Sequence, residues 1–227
     1  PNIDRYRELK LRLLNGTHTF TCGMVFLAGY DTVQQTMEDP LTSSFISDLM
    51  QYEIAPSIPY KINENIKQAF ISTVLDRFRN PHINHHWKNI TFQYSSKMRM
   101  RCIPLIMNYY KNNKTVPQLF ALGFASYLYF MKAVNQSSKE FYGELNGELY
   151  LVEDDTAEKF YHLWNTESVD GLVKKVLKDE SGLGYDLSLL PGFQETVTCN
   201  LNSIINHGMK KTLEKMDHKK PGEGNGL

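Results

Sequence analysis

The stretch Lys10-Leu-Arg-Leu-Leu-Asn15-Gly-Thr-His18 decides how this chain is read. It sets a lysine, an asparagine and a histidine at K-x4-N-x2-H inside an apolar run. Apolar residues recur at three- and four-residue intervals from about Tyr6 to Met37, which predicts helix, with Asn15-Gly16 and Gly23 as its weak points. At about 100° per residue His18 falls between Lys10 and Asn15, and all three fit within an arc of about 140°. They can therefore converge on one pocket. A lysine desolvated among leucines loses basicity and can serve as a general base near neutral pH. Asn and His beside it could hold an oxygen on which negative charge develops. The same spacing also suits a surface lysine, a helix irregularity at Asn-Gly and a core histidine with its hydrogen bonds satisfied.

Outward from that stretch the pattern stays helical. Asp39-Pro40 ends the first segment, and Thr42-Ser43-Ser44 is placed to cap a helix over about 43–52. Pro56 and Pro59 mark a connection, and a helix over about 63–78 stops at Asn80-Pro81. Further helices are expected over 104–110, 116–134 and 170–178, and one from Asp154-Asp155-Thr156 with acids in its first turn. A last helix aligns Phe193, Val197, Leu201, Ile204, Ile205, Met209 and Leu213 on one core-facing stripe. Asn146-Gly147 between short runs of Tyr, Leu and Val is a hairpin signal, so one small β-hairpin is expected over 141–152. The tail beyond Met216, 217–227, has nothing to bury and reads as mobile.

Composition excludes several classes. The 227 residues carry 25 Lys+Arg against 25 Asp+Glu, which argues against a dedicated nucleic-acid binder. Cys22, Cys102 and Cys199 are far apart, without a C-x-x-C, and read as reduced thiols of a cytoplasmic protein. No apolar run is long enough to span a bilayer, so no membrane role is expected. His82, His85 and His86 lack a carboxylate or cysteine at helical spacing, so a metal site is not predicted. Gly182-Leu-Gly184 follows a helix and lacks a third glycine, so it is not a dinucleotide turn. The start at Pro1-Asn2-Ile3, almost on top of the lysine stretch, suggests a piece of something longer.

Set in its flanks, the lysine stretch is more specific. Lys10 to Thr19 together with Phe26-Leu-Ala-Gly-Tyr-Asp-Thr-Val33 resembles the C-terminal domain of the polyol-specific long-chain dehydrogenase/reductase (mannitol dehydrogenase) family. Arg77-Phe-Arg-Asn-Pro81, His85, Lys97 with Arg99 and Arg101, Ile103-Pro104, Val152-Glu-Asp-Asp155 and Leu190-Pro-Gly192 extend the likeness from Tyr6 to about Met216. The Arg77 and Lys97 segments are nearer to the hexuronate reductases that act on tagaturonate and altronate. This chain departs from the polyol enzymes where they carry Asp-Gly before a serine: it has Gln93-Tyr-Ser-Ser96.

The resemblance implies a mainly α, multi-helical domain of the 6-phosphogluconate-dehydrogenase C-terminal type, over 1–216, with an N-terminal Rossmann NAD domain lying outside this sequence. It implies Lys10 as general acid/base and Asn15 and His18 as hydrogen-bond partners of the reacting oxygen, with no metal needed. The sugar-acid substrate, tagaturonate or altronate, needs a cation for its carboxylate. Lys97 is the first candidate, with Arg77, Arg99, Arg101 and His85 around it; Arg99 and Arg101 suit a salt-bridging face equally well. The rival readings are a fructuronate reductase, a mannitol-type polyol dehydrogenase, or a helical interaction module with no chemistry.

Overall fold

The computed structural model describes residues 3–83 and 85–217; the tail expected to be mobile lies, apart from Asp217, outside the described residues. The chain opens with α1 (Ile3–Leu9), which runs without interruption through a π-helical segment (Lys10–Gly16) into α2 (Thr17–Leu27). Asn15-Gly16 and Gly23 are therefore not breaks. The helix ends instead near Gly29, whose φ of 91° is open to glycine without strain. Gly23 has a different use. A Cβ there would meet the Tyr94 ring at 2.9 Å, and the Gly23 amide donates to the Tyr94 hydroxyl at 3.2 Å. The glycine lets a second element approach the α2 backbone.

α3 (Val33–Glu38) is capped by a reciprocal Thr32–Gln35 box. α4 (Pro40–Asp48) starts earlier than expected because Asp39, not Thr42–Ser44, caps it: the carboxylate accepts from the amides of Leu41 and Thr42, with Pro40 in the first turn. α4 continues into a second π-helical segment (Leu49–Ile54) and a 3-10 turn (Ala55–Ser57). α5 (Glu64–Arg79) follows, then the short α6 (Trp87–Ile90) and α7 (Tyr94–Lys97). A third π-helical segment (Met98–Cys102) leads into α8 (Ile103–Asn112), and α9 (Gln118–Phe130) is buried on nearly every side.

The hairpin is present and larger than expected. β2 (Glu140–Leu145) and β3 (Glu148–Leu151) join through Asn146-Gly147, both at positive φ as a type I′ turn requires. β1 (Asn135–Ser137) adds a third antiparallel strand in the order β1-β2-β3. Then come α10 (Ala157–Thr166), α11 (Val169–Leu177), α12 (Glu180–Leu183) and α13 (Phe193–His207). Asp154 and Asp155 precede α10 and do not enter its first turn. Asp154 accepts from the Ser95 amide and from both the amide and the hydroxyl of Thr156. The expected last helix is two. Gly208, at φ 81°, separates α13 from α14 (Met209–Asp217), while Met209 and Leu213 stay buried.

α2 and α9 form the centre of the core. Phe20 stacks on Phe120, with ring centroids 4.5 Å apart, and a Cβ on Gly123 would meet the Phe20 carbonyl at 2.9 Å. Small residues at this crossing allow backbone-to-side-chain contact that a larger residue would prevent. α13 packs on the other side of α9, where Phe193 meets Phe124. No helix is long and apolar enough to cross a membrane, among the described residues.

Candidate active site

Two π-helical segments frame the lysine stretch, Lys10–Gly16 and Met98–Cys102. A π turn pairs residues five apart, so it shifts the register and frees backbone carbonyls. Here one buried side chain takes them up. The Arg12 guanidinium donates to the carbonyls of Met100 at 2.9 Å and Arg101 at 3.0 Å, while its Nε pairs with Glu8 at 3.1 Å. The Gly16 carbonyl is approached from the same side by the Cys102 thiol at 3.8 Å. Arg12 thus ties the helix bearing Lys10 to the segment bearing Arg99 and Arg101. Sequence reasoning missed it, although an arginine flanked by three leucines was a visible signal.

The three residues of the opening stretch differ sharply in environment. Lys10 is exposed, while Leu9, Leu13 and Leu14 turn inward, so this chain does not supply the desolvated lysine that its leucine-rich surroundings suggested. The wider π turn alters the arc calculated for a regular helix. Asn15 is half-buried, and its carbonyl accepts the Thr19 hydroxyl at 2.8 Å.

His18 is buried, and its Nε2 has no hydrogen-bond partner. The imidazole lies flat on Phe78, with centroids 4.5 Å apart and planes 10° apart, and meets Trp87 and His85 edge-on at 5.7 and 6.3 Å. Burial, followed by the neighbouring His85, Arg101 and Arg77, pulls its pKa down to about 3. His18 is therefore a neutral imidazole at physiological pH, with one ring nitrogen able to donate and the other to accept.

The partners of His18 arrive from three directions. α5 delivers Phe78 and Arg77 in its last turn before Asn80-Pro81 stops it. The following loop is pinned by a short bridge: the Val33 amide donates to the His85 carbonyl at 3.0 Å, and the Trp87 amide to the Asp31 carbonyl at 2.9 Å. The Trp87 indole donates to the Thr36 hydroxyl at 2.7 Å. Neither Phe78 nor Trp87 was singled out from sequence as part of the site.

Lys97 is part-buried; its ammonium donates to the Ile90 carbonyl at 2.9 Å and lies 5.9 Å from the Phe92 ring centroid. Burial, and then Arg101, lowers its pKa. Arg101 is half-buried and donates to the Thr19 hydroxyl at 3.3 Å. Arg99 turns elsewhere, to the Ser181 carbonyl at 3.1 Å beside α12. The structure therefore gathers His85, Arg77 and Arg101 around His18, with Lys97 next to Arg101, and leaves Arg99 outside. Among the described residues no ion pair joins Lys10, Arg77, Lys97, Arg99 or Arg101 to a carboxylate.

The segment 93–97 is held from the strand side. Gln93 stands at φ 50°, donates its amide to the Glu153 carbonyl at 2.8 Å and pairs its side chain with Asp155 at 2.9 Å. Ser95 binds Asp154, Tyr127 and Thr156. Cavities of about 580 Å³ and 490 Å³ flank the three-stranded sheet, and neither is lined by the residues around His18.

A mainly helical domain with one small three-stranded antiparallel sheet has the architecture of a mannitol dehydrogenase C-terminal domain. Residues 2–205 match the mannitol dehydrogenase C-terminal domain family, and the chain belongs to that family. It is 32% identical over 219 residues to an altronate oxidoreductase of Yersinia enterocolitica, covering 93% of this chain and 43% of that protein. To an altronate oxidoreductase of Escherichia coli it is 31% identical over 222 residues, covering 95% and 44%. The solved ternary complex of Pseudomonas fluorescens mannitol 2-dehydrogenase with NAD and D-mannitol is similar at a TM-score of 0.81 and 25% identity, over 95% of this chain and 41% of that one. A substrate-free D-sorbitol dehydrogenase shares the fold at a TM-score of 0.73 and 18% identity, over 93% and 41%. The chain thus spans less than half the length of these relatives.

Proposed function

We propose that this chain is the substrate-binding and proton-transferring part of an NAD-dependent oxidoreductase that interconverts D-tagaturonate and D-altronate in the cytoplasm. The observation that carries this reading is the buried, neutral His18 with an unpartnered Nε2, surrounded by cations that no carboxylate neutralises. A buried polar atom without a partner is costly, on the order of 1–3 kcal/mol, so a site of this kind fits a polar ligand atom. A cluster of cations that form no ion pair with an acid among the described residues fits an anionic sugar better than a neutral one.

The donor set suits a carbonyl compound and does not suit a dinucleotide. The sheet of the described residues is three short antiparallel strands, with no glycine-rich turn between a strand and a helix to cradle a pyrophosphate. NAD would be held mainly by a Rossmann domain of the complete protein, a proposal that the partial span of the relatives supports. When bound, the nicotinamide supplies the hydride in reduction and accepts it in oxidation.

The residues of this chain do the rest. Asn15 and His18 donate hydrogen bonds to the keto oxygen, polarise the carbonyl and steady the developing alkoxide. Lys10, as an ammonium, gives that oxygen its proton, and as an amine takes it back from altronate in reverse. Lys97, Arg77, Arg101 and His85 position the sugar acid. Lys10 stands exposed here, so the partner domain would close over it and exclude water. Exposed Ile3 and Tyr6 on the same continuous helix, with Ile66 on α5, give that domain apolar surface to cover.

A neutral-polyol dehydrogenase is the second reading, favoured by the similarity to the mannitol enzyme. A substrate panel on the full-length protein with NADH separates the two. Tagaturonate should be reduced with the highest kcat/KM, ahead of fructuronate and far ahead of fructose. A preference for fructose would overturn the hexuronate reading.

A further inference from the structure

Of the four basic side chains singled out from sequence, Arg77 and Arg101 act on His18 and Lys97 stands next to Arg101, and their surroundings are not equivalent. Lys97 already donates a hydrogen bond to the Ile90 carbonyl, and its charge lies against the Phe92 ring. Arg99 reaches away to Ser181. Arg77 is exposed at the end of α5. Arg101 is half-buried like Lys97, sits within electrostatic reach of both His18 and Lys97, and uses one Nη1 contact on a neutral hydroxyl. That hydroxyl belongs to Thr19, which is itself bonded to the Asn15 carbonyl. The guanidinium is thus fixed from the same helical turn that carries Asn15. From the other side, Arg12 fixes the Arg101 carbonyl.

A half-buried guanidinium with most of its donors free and no acid facing it is an anion receptor in waiting. Its planar fork matches a carboxylate in two parallel hydrogen bonds, a geometry that a lysine cannot reproduce. We propose that Arg101, held by Thr19 and assisted by Arg77, is the residue that binds the substrate carboxylate and so sets the preference for sugar acids over neutral sugars. This rests on the hexuronate reading given above. It moves the specificity role from Lys97, the first choice from sequence, to Arg101. Lys97 then serves the hydroxyl groups of the chain. No bond is made or broken at Arg101; its role is binding alone.

The test compares two ketoses that differ only at the recognised group. D-tagatose carries a hydroxymethyl where D-tagaturonate carries its carboxylate. In the full-length enzyme, Arg101→Gln should lower the ratio of kcat/KM for tagaturonate over tagatose by about 100-fold or more, mainly through the KM for tagaturonate, since a site built for a charged group loses most when that pairing is removed. Arg101→Lys should recover only part of the ratio, because charge returns without the fork. An equal loss on both ketoses, or an unchanged ratio, would overturn the assignment to Arg101. Lys97→Gln run in parallel should leave the ratio within a few-fold; a larger collapse there than in Arg101→Gln would return the role to Lys97. Should Arg101→Gln fail to fold, Arg101→Lys decides alone: a wild-type ratio refutes the fork. If the wild-type enzyme reduces tagatose and not tagaturonate, the hexuronate reading itself has failed, which is a different outcome from a wild-type hexuronate reductase indifferent to Arg101.

Discussion

His18 lies flat against Phe78, with ring centroids 4.5 Å apart and planes within 10° of parallel. The contact joins α2 to the last turn of α5, just before Asn80-Pro81 ends it. The imidazole plane is therefore set by an apolar neighbour, not by a hydrogen bond to Nε2. Phe78→Ala should cost about 3–5 kcal/mol through the lost ring and the cavity it leaves. Phe78→Leu should cost less in stability yet still lower kcat, because the ring that orients His18 is gone. Denaturant titration and steady-state kinetics on both variants check this; a Phe78→Leu enzyme with wild-type kcat would show that the stack positions nothing.

Arg12 joins the two π-helical segments through the carbonyls of Met100 and Arg101. Arg12→Leu keeps the apolar stem and removes the donors, leaving two acceptors and Glu8 without a partner. The expected loss is about 2–4 kcal/mol of stability. Hydrogen exchange should rise in residues 98–102 before it rises in α9. Protection unchanged at 98–102 would mean that the segments hold their register without the clamp.

Two buried groups push the stability–pH profile in opposite directions. His18 has its pKa drawn down to about 3 from an ordinary value of 6.5. The unfolded chain binds the extra proton first, so its contribution is complete above pH 6.5 and is lost as pH falls towards 3. Glu53 sits in the second π-helical segment and accepts the Leu119 and Phe120 amides at 2.9 and 2.6 Å. Burial outweighs those bonds and lifts its pKa to about 7 from 4.5. Its contribution is complete below pH 4.5 and is lost as pH rises through 7.

Between pH 4.5 and 6.5 the two trends oppose each other. Each is on the order of a few kcal/mol. His18→Phe should therefore unmask stability that falls as pH rises over this range, and Glu53→Leu should unmask stability that rises. Thermal melts of wild type and both variants from pH 4 to 8 read the differences. Parallel profiles in all three proteins would contradict the assigned shifts.

Gly143 faces the Tyr150 ring across the β2–β3 pair. Tyr150 stacks on Phe130 and donates to the Phe130 carbonyl at 2.9 Å, which fastens the sheet to the end of α9. Gly143→Ala should drive the ring off that seat at a cost of about 1–3 kcal/mol. The ring also meets Phe26, at the far end of the lysine helix from Lys10, so unfolding midpoints should shift while kcat does not. A melting temperature equal to that of wild type would show that the sheet absorbs the methyl group freely.

Much of the helical plan was legible because it rests on local rules. Asn63 at the head of an amphipathic run and Asn146-Gly147 between aromatic and aliphatic residues each act within a few positions. The failures have a common cause in tertiary context. A π turn at Lys10–Gly16 has no composition of its own; it exists because Arg12 and the segment 98–102 accommodate it. β1, three exposed residues, has no alternating pattern and forms because β2 offers an edge. Asp39 outcompetes the serines as a cap because Pro40 fixes the first turn beside it. In the site, Lys10, Asn15 and His18 were visible as a spacing. Phe78 and Trp87 were not, since aromatic residues carry no signature until the fold brings them to His18, and the Thr19 hydroxyl gains its role only where Arg101 reaches it. The choice between Lys97, Arg99 and Arg101 also needed the structure, for their roles follow from where each side chain is already engaged.

The central claim is that Lys10 moves the proton at the reacting oxygen, and Lys10→Ala in the full-length enzyme tests it most directly. Lys10 is exposed in this domain, so the substitution should alter folding stability by no more than about 0.5 kcal/mol. Turnover of tagaturonate with NADH at neutral pH should nevertheless fall by about 10³-fold, with a well-folded protein by thermal melt. A folded Lys10→Ala enzyme retaining kcat within a few-fold of wild type would contradict the account.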